Sequence, residues 1–478
     1  MVEGYVKRSD RKKILLLSDD LRMHSGIATM SRELVVGSAH KYNWFQLGAA
    51  LKHPDKGKVI DISDDVNKET GIKDSSVKVM PNEGYGNSTL IRMLLAKEKP
   101  DAIFIFTDPR YWIWLFEIER EVRNSIPIIW LNIWDDYPAP VYNRDYYNSV
   151  DCLMGISKQT VNINKLVLGD DAIDKVINYV PHGINDGHFF PIVKDNPIYP
   201  QVQEFKKKTI PNEDVEFLVY FNSRNIHRKR PGDIILAFKF FCDKIGKEAA
   251  KKVGLVMHTE VSNNHGTDLK AVKDALYPDG NVYFSANKIS TAQMNFMYNI
   301  ADVTVLISSN EGWGLSLTES MMAGTMIVGA VTGGMQDQMR FENEKGEWID
   351  FDADFPSNHR GTYKKHGEWV EPVFPSNISL AGSSMTPYIY DDRSNPEDVA
   401  EAIFKVYSLS PEERFDKGMA GHMWAKSDEA QMTAKHMCNN MINSIEETFK
   451  NFEPRPRYDI FKVDGVPSVE VPHKLTGY

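Results

Sequence analysis

Cysteine is scarce in this sequence. Cys152, Cys242 and Cys438 are the only three in 478 residues, far apart and without CxxC spacing. That excludes a disulfide framework, argues against a zinc site, and makes a reducing compartment the expectation. Long apolar runs are also missing: none approaches the roughly 20 residues of a membrane span. Residues Met1 to Lys13 are polar and charged, without the apolar core of a signal peptide. Positive charge is not in excess either. Lys plus Arg is 56 against 66 Asp plus Glu, a net charge of -10, whereas proteins that coat nucleic acid are normally basic. A local basic groove stays compatible with this. The GxGxxG dinucleotide fingerprint is absent as well, since Gly26 stands alone after the first apolar run, which weakens an oxidoreductase reading. A cytoplasmic, soluble protein is the expectation.

Apolar residues make up 42 % and charged residues 26 %, and the length suits two domains. Ile14 to Leu17 is a short apolar run ending in Ser-Asp-Asp, the pattern of a buried parallel strand followed by a polar loop. A helical pattern follows from about Ile27 to Val36. Asp101 to Phe106, Ile126 to Leu131 and Asp151 to Ile156 predict further buried strands, with Ser157 capping the next helix. A polar, proline-punctuated stretch at about 188–212 reads as a linker. A second series starts at Val215 to Asn222 and continues through Gly254 to His258, Val282 to Phe284, Val303 to Ile307 and Thr325 to Val328. Strands alternating with helices imply parallel α/β sheets, and two Rossmann-like domains facing across a cleft are the simplest architecture. Met339 to Ser384 lacks a clear period and reads as an irregular insertion. Within it, Asp350, Asp352 and Asp354 have either the spacing of a metal loop or that of a solvated acidic turn. A helix from about Glu429 to Asn451 precedes an irregular tail.

The segment Ser308 to Ser320 carries the chemistry. A strand runs into a loop whose Gly312 and Gly314 let a ligand approach the backbone, and a helix then opens at about Thr318, with free N–H groups for an anion. Glu311 sits on the loop and Glu319 at the expected helix start. Each carboxylate can accept hydrogen bonds from a vicinal diol, which suits a ligand with two polyol parts joined by phosphates. Upstream, Arg224 follows a strand directly, and Arg228, Lys229 and Arg230 crowd the residues before Pro231.

Glu311 to Glu319 resembles the E-x7-E motif of retaining family-4 (group 1) glycosyltransferases, which have the GT-B fold. The resemblance extends to Asn299 to Val303, to Gly324 to Asp337, to Val150 to Ser157, and to Val180 to Asn185 with Phe190 and Pro191. It covers about 14–335 and resumes near Thr386 to Ile403. It implies a donor that is a nucleotide-diphosphate sugar (UDP- or GDP-sugar), with no permanently bound cofactor and no metal. Glu319 would hold the ribose hydroxyls. Glu311, helped by the backbone of Gly312, Trp313, Gly314 and Leu315, would hold the transferred sugar. Arg224 and Lys229 would grip the diphosphate, Arg228 being read as part of a solvated turn, and Gly26 would lie near the donor phosphates. The domains implied are an N-terminal acceptor domain at 1–190, a nucleotide-sugar domain at 205–428 with the insertion at about 339–384, and a helix and tail at 429–478 packing back on the N-domain.

One departure stands out. The family often has His-Asp after a central strand of the N-domain, the His commonly touching the sugar's 6-hydroxyl. Here Trp134 takes the His position and Asp135 matches the Asp. Either Trp134 simply packs, or the donor pocket is reshaped, for instance for a pentose. The acceptor is left open. A carbohydrate or glycan is the default, a hydroxymethylated base in DNA the alternative, encouraged by Lys206 to Lys208 and Arg228 to Arg230. A nucleotide-sugar epimerase or a binding module of the same fold is the rival of another class. Exposed His24 is a weaker site candidate.

Overall fold

The computed structural model describes residues 4–50, 52–350, 363–456 and 458. Ile14, Leu15, Leu16 and Leu17 are all at most 2 % exposed, so their strand is covered on both faces, as an unbroken apolar run in a parallel sheet requires. It is β1 (Lys12–Asp19), at the centre of an eight-stranded sheet with β2 (Tyr42–Ala49), β3 (Ile60–Asp61), β4 (Val77–Asn82), β5 (Ala102–Phe106), β6 (Ile128–Asn132), β7 (Cys152–Gly155) and β8 (Val176–Tyr179). The order is β3-β4-β2-β1-β5-β6-β7-β8, parallel except for β3 against β4. Ser157 caps the helix Lys158–Leu168 by accepting from the Thr160 amide.

A second, six-stranded parallel sheet contains β9 (Phe217–Asn222), β10 (Val253–His258), β11 (Val282–Ser285), β12 (Val303–Leu306), β13 (Met326–Ala330) and β14 (Val370–Val373), in the order β11-β10-β9-β12-β13-β14. The stretch expected to be an irregular insertion therefore holds the edge strand β14. It also runs into an antiparallel hairpin of β15 (Asn377–Ser383) and β16 (Thr386–Arg393). Its polar, Pro- and Gly-containing composition hid a strand that is covered on one side only. Of the acidic triplet, Asp350 is exposed and pairs with Lys158 at 2.6 Å, while Asp352 and Asp354 lie outside the described residues.

After the second sheet the chain crosses back. The Ile184 amide donates to Met432 O and the Ala434 amide to Ile184 O, both at 2.9 Å. A Cβ on Gly183 would stand 2.2 Å from Thr433 O, so only glycine admits this approach. The helix Ala434–Asn451 then lies on the first sheet, where Tyr42 donates to Glu446 at 2.6 Å and Asn178 to Glu447 at 2.8 Å. Among the described residues no helix is long and apolar enough to cross a membrane.

Candidate active site

Strand order reverses at two places, β1 beside β5 in the first sheet and β9 beside β12 in the second. At such a switch point the loops beyond the strands' carboxyl ends diverge and leave a crevice, the usual ligand position in open α/β sheets. Here the two crevices face each other across one cleft of about 1320 Å³. Asp19 ends β1, Arg224 follows β9 by two residues, and Glu311 lies on the loop after β12; all three line the cleft.

The loop from Glu311 to Leu315 is held by close backbone contacts. Gly314 has φ +88° and is the residue before the helix Leu315–Met322. That helix begins three residues earlier than the sequence suggests, because Gly314 rather than a side-chain cap turns the chain into it. Glu319 is therefore in the helix's second turn, not at its start. Gly312 faces the other domain, where a Cβ would meet Ile133 O at 3.2 Å and Ile156 Cδ1 at 3.0 Å. Behind the loop, Gly334 donates its amide to Glu311 O at 2.9 Å, and a Cβ on it would stand 2.0 Å from Gly312 O. Gly334→Ala should accordingly push the loop into the cleft. We expect a loss of about 1–3 kcal/mol, as for other overpacked sites, visible as a lowered urea midpoint, together with weakened nucleotide binding by calorimetry.

Glu311, Lys229 and Arg228 form a charge cluster. Lys229 Nζ and Arg228 Nη1 both contact Glu311 Oε2, the latter at 3.2 Å, and Arg228 also donates to Asn310 O at 2.7 Å. Burial alone would raise the Glu311 carboxyl, but Lys229 and Arg228 outweigh it and hold it at about 2. Burial lowers the Lys229 ammonium below its ordinary range. Arg228 thus belongs to the cleft, not to a solvated turn. It packs at the mouth between Glu311 and the carboxyls of Asp135 and Asp136, which nothing in its local sequence announces. Asp135 and Asp136 are both pushed up, by burial first, and in Asp136 also by its neighbour. Arg224 is exposed on the same wall, and no carboxylate lies within ion-pair distance of it among the described residues.

Glu319 is different. No cation among the described residues touches it. Its carboxylate accepts from the Tyr298 hydroxyl at 2.5 Å, and Tyr298 in turn accepts from Asn222 at 2.9 Å. Burial pushes it up to about 7, against a slight pull from Tyr298. A diol that donates to this group prefers the ionised form, so binding must remove the proton wherever the free carboxyl is protonated. Nucleotide affinity should fall about tenfold per pH unit below pH 7 and flatten above it. Titration calorimetry with UDP between pH 5.5 and 8.5 checks this; a Glu319→Gln protein should show no such slope.

The remaining site residues separate cleanly. Gly26 opens the helix Gly26–Ser38 and faces the second domain, a Cβ there lying 3.5 Å from Leu315 Cδ1. The Trp313 ring is 2 % exposed and donates to Thr318 Oγ1 at 2.9 Å, so only its backbone is available to a ligand. Trp134 is 7 % exposed, and its indole N–H is spent on Asp136 O at 2.9 Å. It packs, and it offers a sugar no hydrogen bond. His24 is exposed at the cleft rim. Sequence reasoning missed His182, whose ring lies between Phe106 and Trp313, lines the cleft and leaves Nδ1 without a partner. Burial lowers its pKa to about 3, so it is a neutral imidazole. The signal was its place in the resembling segment Val180 to Asn185. Asp391, bonded by Asn310 at 3.3 Å, was missed although it lies in the resembling segment Thr386 to Ile403, because it reaches the cleft only through the fold of the hairpin strand β16. Among the described residues no group of three or more His, Cys, Asp or Glu is arranged to hold a metal.

Two facing Rossmann-like domains with a nucleotide-sized cleft define a protein of the GT-B class. Residues 201–354 match the family model described as glycosyl transferases group 1, and the protein is a glycosyltransferase. No curated protein matches it in sequence. Solved structures match over nearly the whole chain. Anabaena HepE in complex with UDP and glucose has a TM-score of 0.63 at 11 % identity, covering 91 % of this chain and 100 % of its own. The sucrose-phosphate synthase of Thermosynechococcus elongatus gives 0.62 at 15 %, covering 92 % and 100 %. A Rickettsia africae glycosyltransferase gives 0.61 at 14 %, with the same coverage.

Proposed function

We propose that this enzyme moves a sugar from a UDP-sugar to a hydroxyl of a carbohydrate acceptor, with retention of anomeric configuration. The observation that carries the reading is the placement of Arg224, Lys229, Glu311 and Glu319 at the carboxyl ends of β9 and β12, on one wall of the cleft. Cations and carboxylates at that spacing match the alternation of phosphate and polyol in a nucleotide sugar. The Anabaena relative, which holds UDP and glucose, supports UDP as the nucleotide.

In this reading Glu319 accepts the two ribose hydroxyls. Arg224 and Lys229 flank the diphosphate, whose leaving oxygen gains charge as the glycosidic bond breaks; fixed cations there lower the barrier. Lys229 arrives already paired with Glu311, so it serves two partners: it neutralises the carboxylate that orients the sugar and lends the rest of its charge to the phosphate. Asp135 approaches from the opposite domain, and closing the two domains on the donor positions the acceptor hydroxyl on the face the leaving group occupies. A phosphate oxygen then takes the acceptor's proton. The three free cysteines are buried, in keeping with a cytoplasmic enzyme.

The test is nucleotide release from a panel of UDP- and GDP-sugars, followed by NMR of the product's anomeric configuration. UDP-sugar turnover with a retained anomer is expected. An inverted product would overturn the retaining assignment, and interconversion of the donor sugar without transfer would favour the epimerase reading.

A further inference from the structure

Behind the cleft the two domains meet along a polar seam. Asp337, on the 3-10 helix Gly333–Met339 of the second domain, accepts from the Lys158 amide and from the Tyr179 hydroxyl of the first, both at 2.9 Å. Lys158 Nζ stands 3.7 Å from the centre of the Trp348 ring and donates to Ile349 O at 3.0 Å. Gln336 precedes Asp337, and Gln159 follows Lys158. Glutamine is ordinarily a surface residue, yet each of these two is 1 % exposed. They bond each other across the domain boundary, Gln336 Nε2 donating to Gln159 Oε1 at 2.9 Å.

Each glutamine is also tied to a loop of the cleft. Gln159 Nε2 donates to Asp135 O at 2.5 Å. Gln336 Nε2 donates in addition to Gly333 O at 3.2 Å. Gly333 lies against Glu311, where a Cβ would stand 2.1 Å from Glu311 O, and the Gly334 amide donates to that same oxygen. A continuous path of hydrogen bonds and close backbone contact therefore runs from Asp135 on the first domain, through two side-chain amides, to Glu311 on the second. The carboxylates of both residues act on Arg228, so their loops face each other in the cleft. Gln336 Oε1 has no hydrogen-bond partner among the described residues. An amide kept only to fill a core would be fully paired or replaced by an apolar side chain of similar size, because a buried unpaired oxygen costs stability.

We infer that Gln159 and Gln336 are positioning residues for sugar transfer: in the closed enzyme they fix the backbone of Asp135 against that of Glu311, so that the transferred sugar meets both loops at a set spacing. This deepens the glycosyltransferase reading above and rests on it. Neither glutamine lines the cleft among the described residues; each acts through the loop it holds. Reacting groups must be placed closely, and a misplacement of about 1 Å costs about 10²-fold in rate. An apolar pair would pack the domains together but leave that spacing to nondirectional contact, whereas buried amide bonds have a defined length and direction.

The experiment uses the full-length enzyme, Gln159→Leu, Gln336→Met and the double variant. It measures UDP release from the UDP-sugar that binds best in the donor panel, at saturation, beside calorimetry with UDP alone. Each single variant should lose about 10- to 100-fold in kcat, counted per UDP-binding site. Its Kd for UDP should stay within about twofold, since Arg224 and Glu319 are untouched. The double variant should fall no more than about twofold below the worse single one, because both substitutions cut the same path. A purely structural pair would behave otherwise: kcat per site would hold while the melting temperature or the number of sites fell, and that result overturns the inference. So would losses that multiply in the double variant, or UDP affinity that falls together with kcat. Should one single variant fail to fold, kcat per site in the other decides; failure of both assigns the pair to the fold and overturns the inference. If the unsubstituted enzyme binds no UDP- or GDP-sugar at all, the glycosyltransferase reading fails instead, which calorimetry with the donors alone distinguishes.

Discussion

Glu319→Ala should lower kcat/KM for the donor by about 10²–10³-fold, the equivalent of losing one or two hydrogen bonds to a charged group at roughly 1.5–3 kcal/mol each. The loss should fall mainly on donor KM and on nucleotide affinity, because Glu319 holds the end of the donor that does not react. The fold should survive. Among the described residues no cation loses a partner, since the one group there that bonds this carboxylate is the Tyr298 hydroxyl, and Tyr298 keeps its bond from Asn222. The linkage adds a sign. A carboxyl raised to about 7 by burial binds its proton more tightly folded than unfolded. Its contribution to stability is therefore full below the unfolded pKa and fades as pH rises through about 7. At pH 8 the wild type carries an uncompensated buried charge that Glu319→Gln lacks, so the variant should melt at the same temperature or slightly higher. A donor-titrated activity assay and a melting curve at pH 8 together check both halves. Full donor-dependent activity in Glu319→Ala would sink the donor assignment.

Arg224→Ala should reduce kcat by about 10²–10³-fold, the usual cost of one preorganised charge stabiliser, with a smaller change in donor KM. Unlike Glu319, Arg224 acts on the reacting end of the donor: charge on the leaving diphosphate grows at the transition state, so a cation beside it counts more there than in the ground state. Arg224 is the cleaner cation to remove. It is exposed and has no ion-pair partner among the described residues, so its loss leaves no carboxylate stranded and the melting temperature should hold. Lys229 is the poorer choice, because its removal takes away the main counter-charge of buried Glu311 and mixes a stability cost into the kinetics. Steady-state kinetics of Arg224→Ala on UDP-sugar, with a thermal melt as control, gives the answer. Unchanged kcat would move the leaving-group role to Arg228 and Lys229.

Most parallel strands with continuous apolar runs were readable because they are buried on both faces, as in β1, β5, β6 and β13, so composition alone marks them. Two central neighbours were not. β2 carries Asn43 and Gln46 among its apolar residues, yet Gln46 is 1 % exposed, its amide bonded to Ser18 and to the backbone of Asp19 and Leu21. A polar residue satisfied inside a strand breaks the apolar run in the sequence without breaking the strand. β4 ends in Pro81 and Asn82, which read as a loop. β14 and the hairpin were hidden for a related reason: an edge strand and a two-stranded ribbon bury too little to leave a clear pattern.

The site shows the same division. Glu311, Glu319, Gly312, Gly314, Arg224 and Lys229 are local: each lies on the loop that follows β9 or β12 or on the helix that loop enters, where loop chemistry and family resemblance both act. The sequence by itself settled that these residues follow strands of one α/β series and that the protein carries no disulfide framework. Only the tertiary structure paired Lys229 and Arg228 with Glu311, left Arg224 without an ion pair among the described residues, buried Glu319 against Tyr298, and spent the Trp134 indole N–H on Asp136 O. The physical reason is that charge and burial in the cleft are sums over groups from both domains, far apart in the chain. A residue's spacing reports its own strand or helix, but not what stands across from it.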